Sequence, residues 1–442
     1  MGLGNYVPTT TLAQKEMLES MGIQKIEELY TVIPDNLKLQ KLAIPAGKSE
    51  LEVRRLIKKL GDKNQVFETI LRGGGAYHHY IPALVKQIAA KEEFLTAYTP
   101  YQAEISQGIL QVIFEFQTMI CELTGMAVAN ASVYDGATAA AEAVNMTIKG
   151  KKRKVLVSET VHPMTLETIK TYSAGQNLEI ITVPSTNGVT DSERLAALLD
   201  QETACFYVQS PNYYGIVEPA ETYSHLVHEQ KAKFIMGVNP TSLAILKTPA
   251  ECGADIAVGE GQPLGIGLSF GGPYLGFMAA TKAMTRNLPG RVVGQTVDTE
   301  GERAFTLTLQ AREQHIKREK ASSNICSNQA HCALIASVYL TTMGQYGLKN
   351  VATQSYSNTH YLAERLGEIK GFELVYTQPY FHEVLMTTPI EATILLDALA
   401  KKNILGGLVV GSNILWCATE MITKEEIDEV VVTIKEVLAS CN

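Results

Sequence analysis

The chain has 442 residues, of which 46% are hydrophobic and 19% are charged, and its formal net charge is −8. A chain of this length buries a large core and allows two or three domains. The acidic balance argues against a nucleic-acid or anionic-membrane partner, because such partners require a basic face.

The seven cysteines form no CxxC pair and no Cys/His cluster at metal-ligand spacing, so no metal site is expected. The N-terminus from Met1 to Tyr6 has no basic segment followed by an apolar one. The longest apolar stretch, from Leu405 to Ala418, is too short to span a bilayer. The sequence therefore predicts a soluble, cytoplasmic protein.

Residues 1–60 are predicted to form an N-terminal helical arm. A helix is expected to begin near Thr11, after a plausible cap, and the stretch from Leu51 to Leu60 repeats apolar residues at helical spacing.

Residues 61–330 are predicted to form a large α/β domain. Short, continuous apolar runs alternate there with helical stretches, which indicates a buried and mainly parallel sheet. The predicted strands are Val155–Ser158, Glu179–Val183, Ala204–Gln209, Lys233–Val238 and Ile256–Val258.

Residues 331–442 are predicted to form a small C-terminal α+β domain. Its expected elements are helices over Cys332–Leu340 and Val351–Ile369, strands over Phe372–Tyr376 and Ile414–Ala418, and a helix over Lys424–Ala439. A large α/β domain followed by a small α+β domain is the layout of fold-type I pyridoxal-phosphate enzymes, although layout alone is only an analogy.

Two local patterns in the large domain allow a phosphate-bearing ligand. The run from Asp135 to Glu142 places glycine and small residues before a helix, which suits a phosphate site or, as the sequence alone favours, a capped helix packed on the sheet. A histidine after the first predicted strand suits a place over a pyridine ring or a structural role. The candidate residues of this pocket are Asp135, Gly136, Ala137, Thr138 and His162.

Two loops rich in tyrosine, Arg72–Pro82 and Tyr98–Gly108, have the composition of binding loops and equally of subunit interfaces. The segment Gln310–Asn324 carries alternating charge at helical spacing, which predicts a helix with a salt-bridged face.

Together these segments resemble the glycine cleavage system P-protein family, glycine dehydrogenase (decarboxylating), in the α subunit of its two-subunit bacterial form. The resemblance covers essentially the whole chain. Its most specific segments are Tyr77–Pro82, Phe94–Glu104, Asp135–Glu142, Gly253–Asp255, Leu288–Arg291 and Gln310–Asn324.

The resemblance also indicates what this chain lacks. In the family's catalytic β subunits a lysine forms the Schiff base with pyridoxal phosphate, and a Gly-Gly-Pro follows it at a fixed distance; counting back from Pro273 places Gln262 on that lysine. A glutamine amide cannot form a Schiff base. The strand that would end in the aspartate of the pyridine nitrogen ends here in Asn239. The chain is therefore expected to have no catalytic residues of its own.

The resemblance implies a heteromeric enzyme, such as α2β2, with pyridoxal phosphate on the β subunit. The complex decarboxylates glycine and passes the aminomethyl group to the lipoyl arm of the H-protein. Because fold-type I active sites commonly lie at subunit interfaces, this chain is expected to complete the β-subunit pocket. The candidates for that contribution are Tyr77, His78, Tyr98, Thr99, Tyr101 and Gln102.

Two other functions are open at this stage. One is a self-sufficient pyridoxal-phosphate enzyme that uses another lysine, of which Lys247 and Lys282 are nearest in sequence. The other is a structural or regulatory subunit with no residue in any active site.

Overall fold

The computed structural model describes residues 9–39, 43–97, 99–321, 323–326 and 328–441. The chain divides into two compact units, Met1–Gln65 and Val66–Asn442. No helix in the described ranges is both long and apolar enough to cross a membrane.

The first unit contains the two helices predicted for the arm. Helix α1 spans Thr11–Ser20 and α2 spans Glu50–Gly61. The hydroxyl of Ser49 accepts a hydrogen bond from the backbone N–H of Glu52, whose carboxylate accepts the Ser49 N–H, so α2 begins with a capping box. No side chain in the described part of this unit is buried.

The second unit is built on a seven-stranded sheet with the order β2-β10-β9-β8-β7-β3-β4. All pairs from β9 to β4 are parallel, and β10 runs antiparallel to both of its neighbours. These strands are β2 (Val128–Ala129), β3 (Lys154–Ser158), β4 (Glu179–Val183), β7 (Thr203–Gln209), β8 (Lys233–Val238), β9 (Ile256–Glu260) and β10 (Gly276–Ala280).

The sheet is buried on both faces, which explains its continuous apolar runs. Phe206 and Phe234 pack in one hydrophobic core, whereas their chain neighbours Cys205 and Ile235 pack in the core on the other face. The predicted strands are confirmed, with boundaries that differ by at most two residues.

Helices cover the sheet and connect its strands. They are α3 (Ala83–Ala89), α4 (Glu92–Leu95), α5 (Gln107–Thr124), α6 (Gly136–Thr147), α7 (Pro163–Ala174), α8 (Ser192–Leu198) and α9 (Ala220–Glu229). Short strands outside the sheet are β1 (Thr69–Ile70), β5 (Ser185–Thr186), β6 (Val189–Thr190), β11 (Val292–Val297) and β12 (Arg303–Thr308).

The C-terminal third has its own core around the fully buried Trp416. Its elements are α11 (Ala330–Gly367), β13 (Glu383–Met386), α12 (Ala392–Ala400), β14 (Ile404–Leu405), β15 (Leu408–Val410), β16 (Asn413–Cys417) and α13 (Lys424–Cys441). The two helices predicted before residue 370 form α11, which is interrupted at Gly344, where φ is 60°.

The strand predicted over Phe372–Tyr376 is wrong. Only Leu374 forms an isolated bridge, to Met386. The N–H of Glu373 donates to the hydroxyl of Thr387 instead of a backbone carbonyl, so a regular ladder does not form there.

The helix predicted from the alternating charges of Gln310–Asn324 is also wrong. Only α10, Gln314–Lys317, is α-helical, and it ends where Arg318 adopts a φ of 54°. Glu313 is buried and pairs with Arg291 at 2.5 Å, outside the segment. The charge of Glu313 therefore serves a tertiary contact and not a helix face.

Candidate cofactor pocket and the loop beside it

The C-terminal ends of the central strands enclose a cavity of about 370 Å³. Tyr207 and Gln209 line it from β7, Asn239 from the end of β8 and Glu260 from the end of β9, and the N-terminus of α6 closes one side. Ligands of open α/β sheets bind at this edge. The cavity is therefore the place where a fold-type I cofactor is expected.

Gln262 is buried beside this cavity, with 1% of its surface exposed. Its side-chain oxygen accepts the N–H of Tyr77 at 2.8 Å, and its amide nitrogen donates to the carbonyl of Tyr77 at 2.9 Å and of Ile266 at 2.7 Å. The side chain at the predicted lysine position therefore fixes the backbone of the loop that contains Tyr77.

Glu260 occupies the N-terminus of α6, where the cofactor phosphate is expected. Its carboxylate accepts backbone N–H groups of Gly136, Gln262 and Leu275, each at 2.9 Å. Burial raises its pKa to about 7, against the effect of these three hydrogen bonds. A carboxylate at a helix N-terminus is stabilised there in the same way as a phosphate.

The other predicted pocket residues are placed as follows. Asp135 caps α6 by accepting the N–H of Thr138 at 2.7 Å, so Thr138 does not line the cavity, whereas Asp135, Gly136, Ala137 and His162 do. The ring of His162 accepts the N–H of Met164 on Nδ1 and contacts the carbonyl of Gly74 through Nε2 at 2.9 Å. Burial lowers the pKa of His162, which keeps the ring neutral.

Asn239 lines the cavity but has no negative charge to offer. Its side-chain oxygen accepts the N–H of Thr241 at 2.9 Å, and its amide nitrogen lies 3.2 Å from Nε2 of His382. Burial lowers the pKa of His382 well below its usual range, so this ring is also neutral. A protonated pyridine nitrogen would find no counter-ion at this position.

The cavity therefore does not fit pyridoxal phosphate. The residues at the predicted lysine and aspartate positions, Gln262 and Asn239, are amides. The carboxylates of Asp135 and Glu260 line the cavity where the phosphate is expected to bind. Among the residues that the structure describes, no lysine or arginine lines it. Lys247 is exposed and paired with Glu221 at 2.8 Å, Lys282 is exposed, and neither of them lines the cavity.

The loop from Gly73 to Tyr80 is fixed by side chains that are distant in sequence. Glu383 accepts the N–H of Gly74 at 2.6 Å and the hydroxyl of Tyr77 at 2.7 Å. Gly73 is required for this approach, because a Cβ there would lie 2.3 Å from the carboxylate. The Tyr77 hydroxyl therefore points into the protein.

The far end of the same loop is held by Glu420. Its carboxylate contacts Nδ1 of His79 at 2.7 Å and accepts the N–H of Tyr80 at 2.7 Å, and the Thr419 hydroxyl donates to the carbonyl of His78 at 2.6 Å. The His79 and Glu420 side chains are only 2% and 8% exposed. Glu383, Gln262 and Glu420 together make the loop a rigid platform.

Glu383 makes stability depend on pH. Burial raises its pKa to about 7, against the hydrogen bonds from Gly74 and Tyr77. The folded chain therefore holds a proton that the unfolded chain releases near pH 4.3, so this contribution is full below pH 4.3 and declines as pH rises to about 7. Relative to the Glu383→Gln variant, wild type is expected to lose on the order of 2–3 kcal/mol of unfolding free energy between pH 4.5 and 8.

Urea unfolding of both proteins across that range measures this difference. The control is Glu167→Gln, compared with wild type in the same way, because Glu167 is exposed. Parallel pH profiles of wild type and Glu383→Gln would contradict the assignment of the titration to Glu383.

The second tyrosine loop is partly exposed. Tyr98 lies outside the described residues, and Thr99 and Gln102 are exposed. The hydroxyl of Tyr101 donates to Asn328, and the guanidinium of Arg291 lies 5.1 Å from the centre of the Tyr101 ring. Tyr101 is thus tied to its own chain, and Thr99 and Gln102 are available to another.

The sequence pattern did not single out three of the residues that shape this site. Glu260 lies between Gly259 and Gly261, whose spacing to Gly265 does not complete a dinucleotide-binding motif. Glu383 and Glu420 lie about three hundred residues after the loop they hold. No local spacing signals a contact of that range.

Comparison with known proteins identifies the family. The sequence profile of the glycine cleavage system P-protein matches residues 4–434. A probable glycine dehydrogenase (decarboxylating) subunit 1 of Carboxydothermus hydrogenoformans is 50% identical over 438 residues, 96% of this chain and 98% of that protein. The protein of the same name from Desulfitobacterium hafniense is 46% identical and covers 98% of this chain and 100% of its own length.

Solved structures agree with the sequence relatives. A crystal structure of glycine decarboxylase (P-protein) of the glycine cleavage system, in inhibitor-bound form, matches with a TM-score of 0.93 and 39% identity over 98% of this chain and 100% of its own. Sphingosine-1-phosphate lyase of Burkholderia pseudomallei matches with a TM-score of 0.68 and 12% identity over 93% of this chain and 94% of its own, which shows the fold alone. The predicted fold type I is confirmed, and the chain belongs to the glycine cleavage system P-protein family.

Proposed function

We propose that this chain is the cofactor-free α subunit of a glycine dehydrogenase (decarboxylating) that acts only together with a β subunit. The observation that supports the proposal is that Gln262, at the predicted lysine position, is hydrogen-bonded to the backbone of Tyr77 and Ile266. The name of the relatives, subunit 1, supports the existence of a partner subunit.

The proposed reaction is the decarboxylation of glycine and the transfer of its aminomethyl group to the lipoyl arm of the H-protein. Pyridoxal phosphate on the β subunit would supply the electron sink for the electron pair that remains when the carboxylate leaves as CO2. The proposed assembly is a hetero-oligomer such as α2β2. This chain contributes by completing the β-subunit pocket, excluding water from it and orienting glycine.

The rigid platform formed by Gly73–Tyr80 is the element best suited to that contribution. The half-buried ring of His78 has no hydrogen-bond partner in the described part of the chain, and Tyr80 is 54% exposed. Burial lowers the pKa of His78, against the nearby charge of Glu420, so a neutral imidazole is available to bind a carboxylate or to position water. Tyr77 contributes indirectly, through its hydrogen bond to Glu383.

The second loop supplies further contacts in this proposal. Thr99 and Gln102 are exposed and carry neutral donors, which suit a substrate carboxylate or the path of the lipoyl arm. Tyr101 holds this loop to Asn328 and has a positioning role. The place of Tyr98 in the pocket stays a prediction from the sequence.

We expect the isolated chain to bind no cofactor covalently and to have no glycine decarboxylation activity. Among the described residues no lysine lines the cavity, and its carboxylates oppose a phosphate. Borohydride treatment with pyridoxal phosphate, followed by mass spectrometry, and exchange of labelled CO2 into glycine test both statements.

Adding the β subunit provides the complementary measurement. Activity is expected to appear only in the mixture and to saturate at a fixed ratio of the two chains. A stoichiometric pyridoxyl adduct on any lysine of the isolated chain would contradict the proposal, and full activity of the β subunit alone would reduce this chain to a structural or regulatory role.

A further inference from the structure

The cavity of this chain is lined by carboxylates and is large enough for a small molecule. A volume of about 370 Å³ is within the range of roughly 300–1,000 Å³ that small-molecule sites occupy. Gln262, which replaces the lysine, does not line the cavity, and Glu260 closes only the end next to α6. The middle of the cavity is open.

Tyr207 points a free hydroxyl into this space. The residue is 3% exposed and lines the cavity, and its hydroxyl lies beside Gly237, where a Cβ would meet it at 2.4 Å. It has no hydrogen-bond partner in the described part of the chain. Burial raises the pKa of Tyr207, so at neutral pH the hydroxyl is an available donor and acceptor.

The charges at the other end determine the kind of ligand. Asp135 and Glu260 line the cavity, and among the described residues no lysine or arginine does. His162 is neutral, because burial lowers its pKa and its Nδ1 accepts the N–H of Met164. The three N–H groups that approach Glu260 are already used by its carboxylate. An anion entering this end would meet carboxylates, whereas an ammonium group would gain charge-assisted hydrogen bonds.

We propose that this cavity is a second ligand site of the protein, which takes a small organic molecule that carries a protonated amine and no phosphate. The amine binds between the carboxylates of Asp135 and Glu260, and a polar group at the other end of the molecule meets the hydroxyl of Tyr207.

Pyridoxamine and pyridoxamine 5′-phosphate are the matched probes, because they share a ring and an amine and differ in the phosphate. Equilibrium dialysis with the assembled two-subunit complex, in which only this chain is altered, assigns binding to its pocket. We expect pyridoxamine to bind at least roughly tenfold more tightly than its phosphate ester, since the ester places negative charge against the carboxylates.

Two substitutions locate the site. Tyr207→Phe is expected to weaken pyridoxamine binding roughly three- to tenfold and Glu260→Gln roughly tenfold or more. Tyr274→Phe is the matched control, because Tyr274 also lines the cavity but donates its hydroxyl to the carbonyl of Leu268 at 2.9 Å. It should bind within about twofold of wild type.

Three results would overturn the proposal: binding of neither probe, tighter binding of the phosphate ester, or pyridoxamine binding that neither Tyr207→Phe nor Glu260→Gln changes. None of these results bears on glycine decarboxylation. Failure of this site and failure of the proposed function are therefore distinguishable.

Discussion

Gln262→Lys is expected to destabilise the chain and to leave it without a covalent cofactor. The side chain of Gln262 is 1% exposed and both accepts from and donates to the backbone of Tyr77. A lysine offers only donors, so the Tyr77 N–H loses its acceptor inside the protein, and an ammonium group is buried next to it. Together these changes are expected to cost about 3–5 kcal/mol of unfolding free energy.

Gln262→Met is the control that separates the two causes. It removes the same hydrogen bonds without adding a charge, so its loss should be smaller than that of Gln262→Lys by about 1–3 kcal/mol. Urea unfolding of the three proteins gives the ordering. If Gln262→Lys folds, Asn239 still offers no counter-ion to a protonated pyridine nitrogen, and the carboxylate of Glu260 still repels a phosphate. A pyridoxyl adduct at the substituted position, with wild-type stability, would show that the pocket lacks only its lysine.

The fold was predictable from the sequence where burial on both faces of the sheet leaves a local signal. The apolar runs around Phe206 and Phe234 predicted the strands because their residues pack in cores on both sides. The segment Phe372–Tyr376 has a similar composition, but its Glu373 N–H donates to the hydroxyl of Thr387, and no regular strand forms. Composition does not reveal that competition.

The candidate site was predictable only in part, for a similar reason. The assignment of Gln262 to the lysine position, from its spacing to Pro273, stays a prediction. The helix predicted after Asp135 is present as α6. The hydrogen-bond partners of these residues were not predictable. Gln262 binds Tyr77, and Gly136 donates to Glu260, in both cases across more than a hundred residues. Contacts of that range depend on the packing of the sheet and leave no periodic pattern.

The three anchors of the platform share one physical property. Glu383 and Glu420 are buried carboxylates and Gln262 is a buried amide, and each accepts at least one backbone N–H of the Gly73–Tyr80 loop. A buried acceptor that binds backbone fixes a loop regardless of the side chains that the loop carries. His78 and Tyr80 are therefore free for another role, which connects the fold of this chain to the proposed β-subunit pocket.

Glu420→Ala is expected to release this platform and to lower the activity of the assembled complex by roughly a hundredfold, since displacements of about 1 Å in an active site have effects of that size. The carboxylate of Glu420 binds both the ring of His79 and the N–H of Tyr80. Its removal leaves a buried imidazole and a backbone donor without partners, at a cost of about 3–5 kcal/mol in unfolding free energy. Steady-state kinetics of the complex and urea unfolding of the chain measure the two effects.

Glu420→Gln distinguishes a positioning role from general destabilisation. The glutamine oxygen can still accept the N–H of Tyr80, so the loop should stay in place and most of the activity should return. Assembly is followed by size-exclusion chromatography, because lost association would lower activity for a different reason. If Glu420→Ala assembles normally, is destabilised as expected and retains wild-type kcat/KM, the loop does not reach the β-subunit pocket. The chain would then act as a scaffold, since the loop proposed to complete the β-subunit pocket would have no part in catalysis.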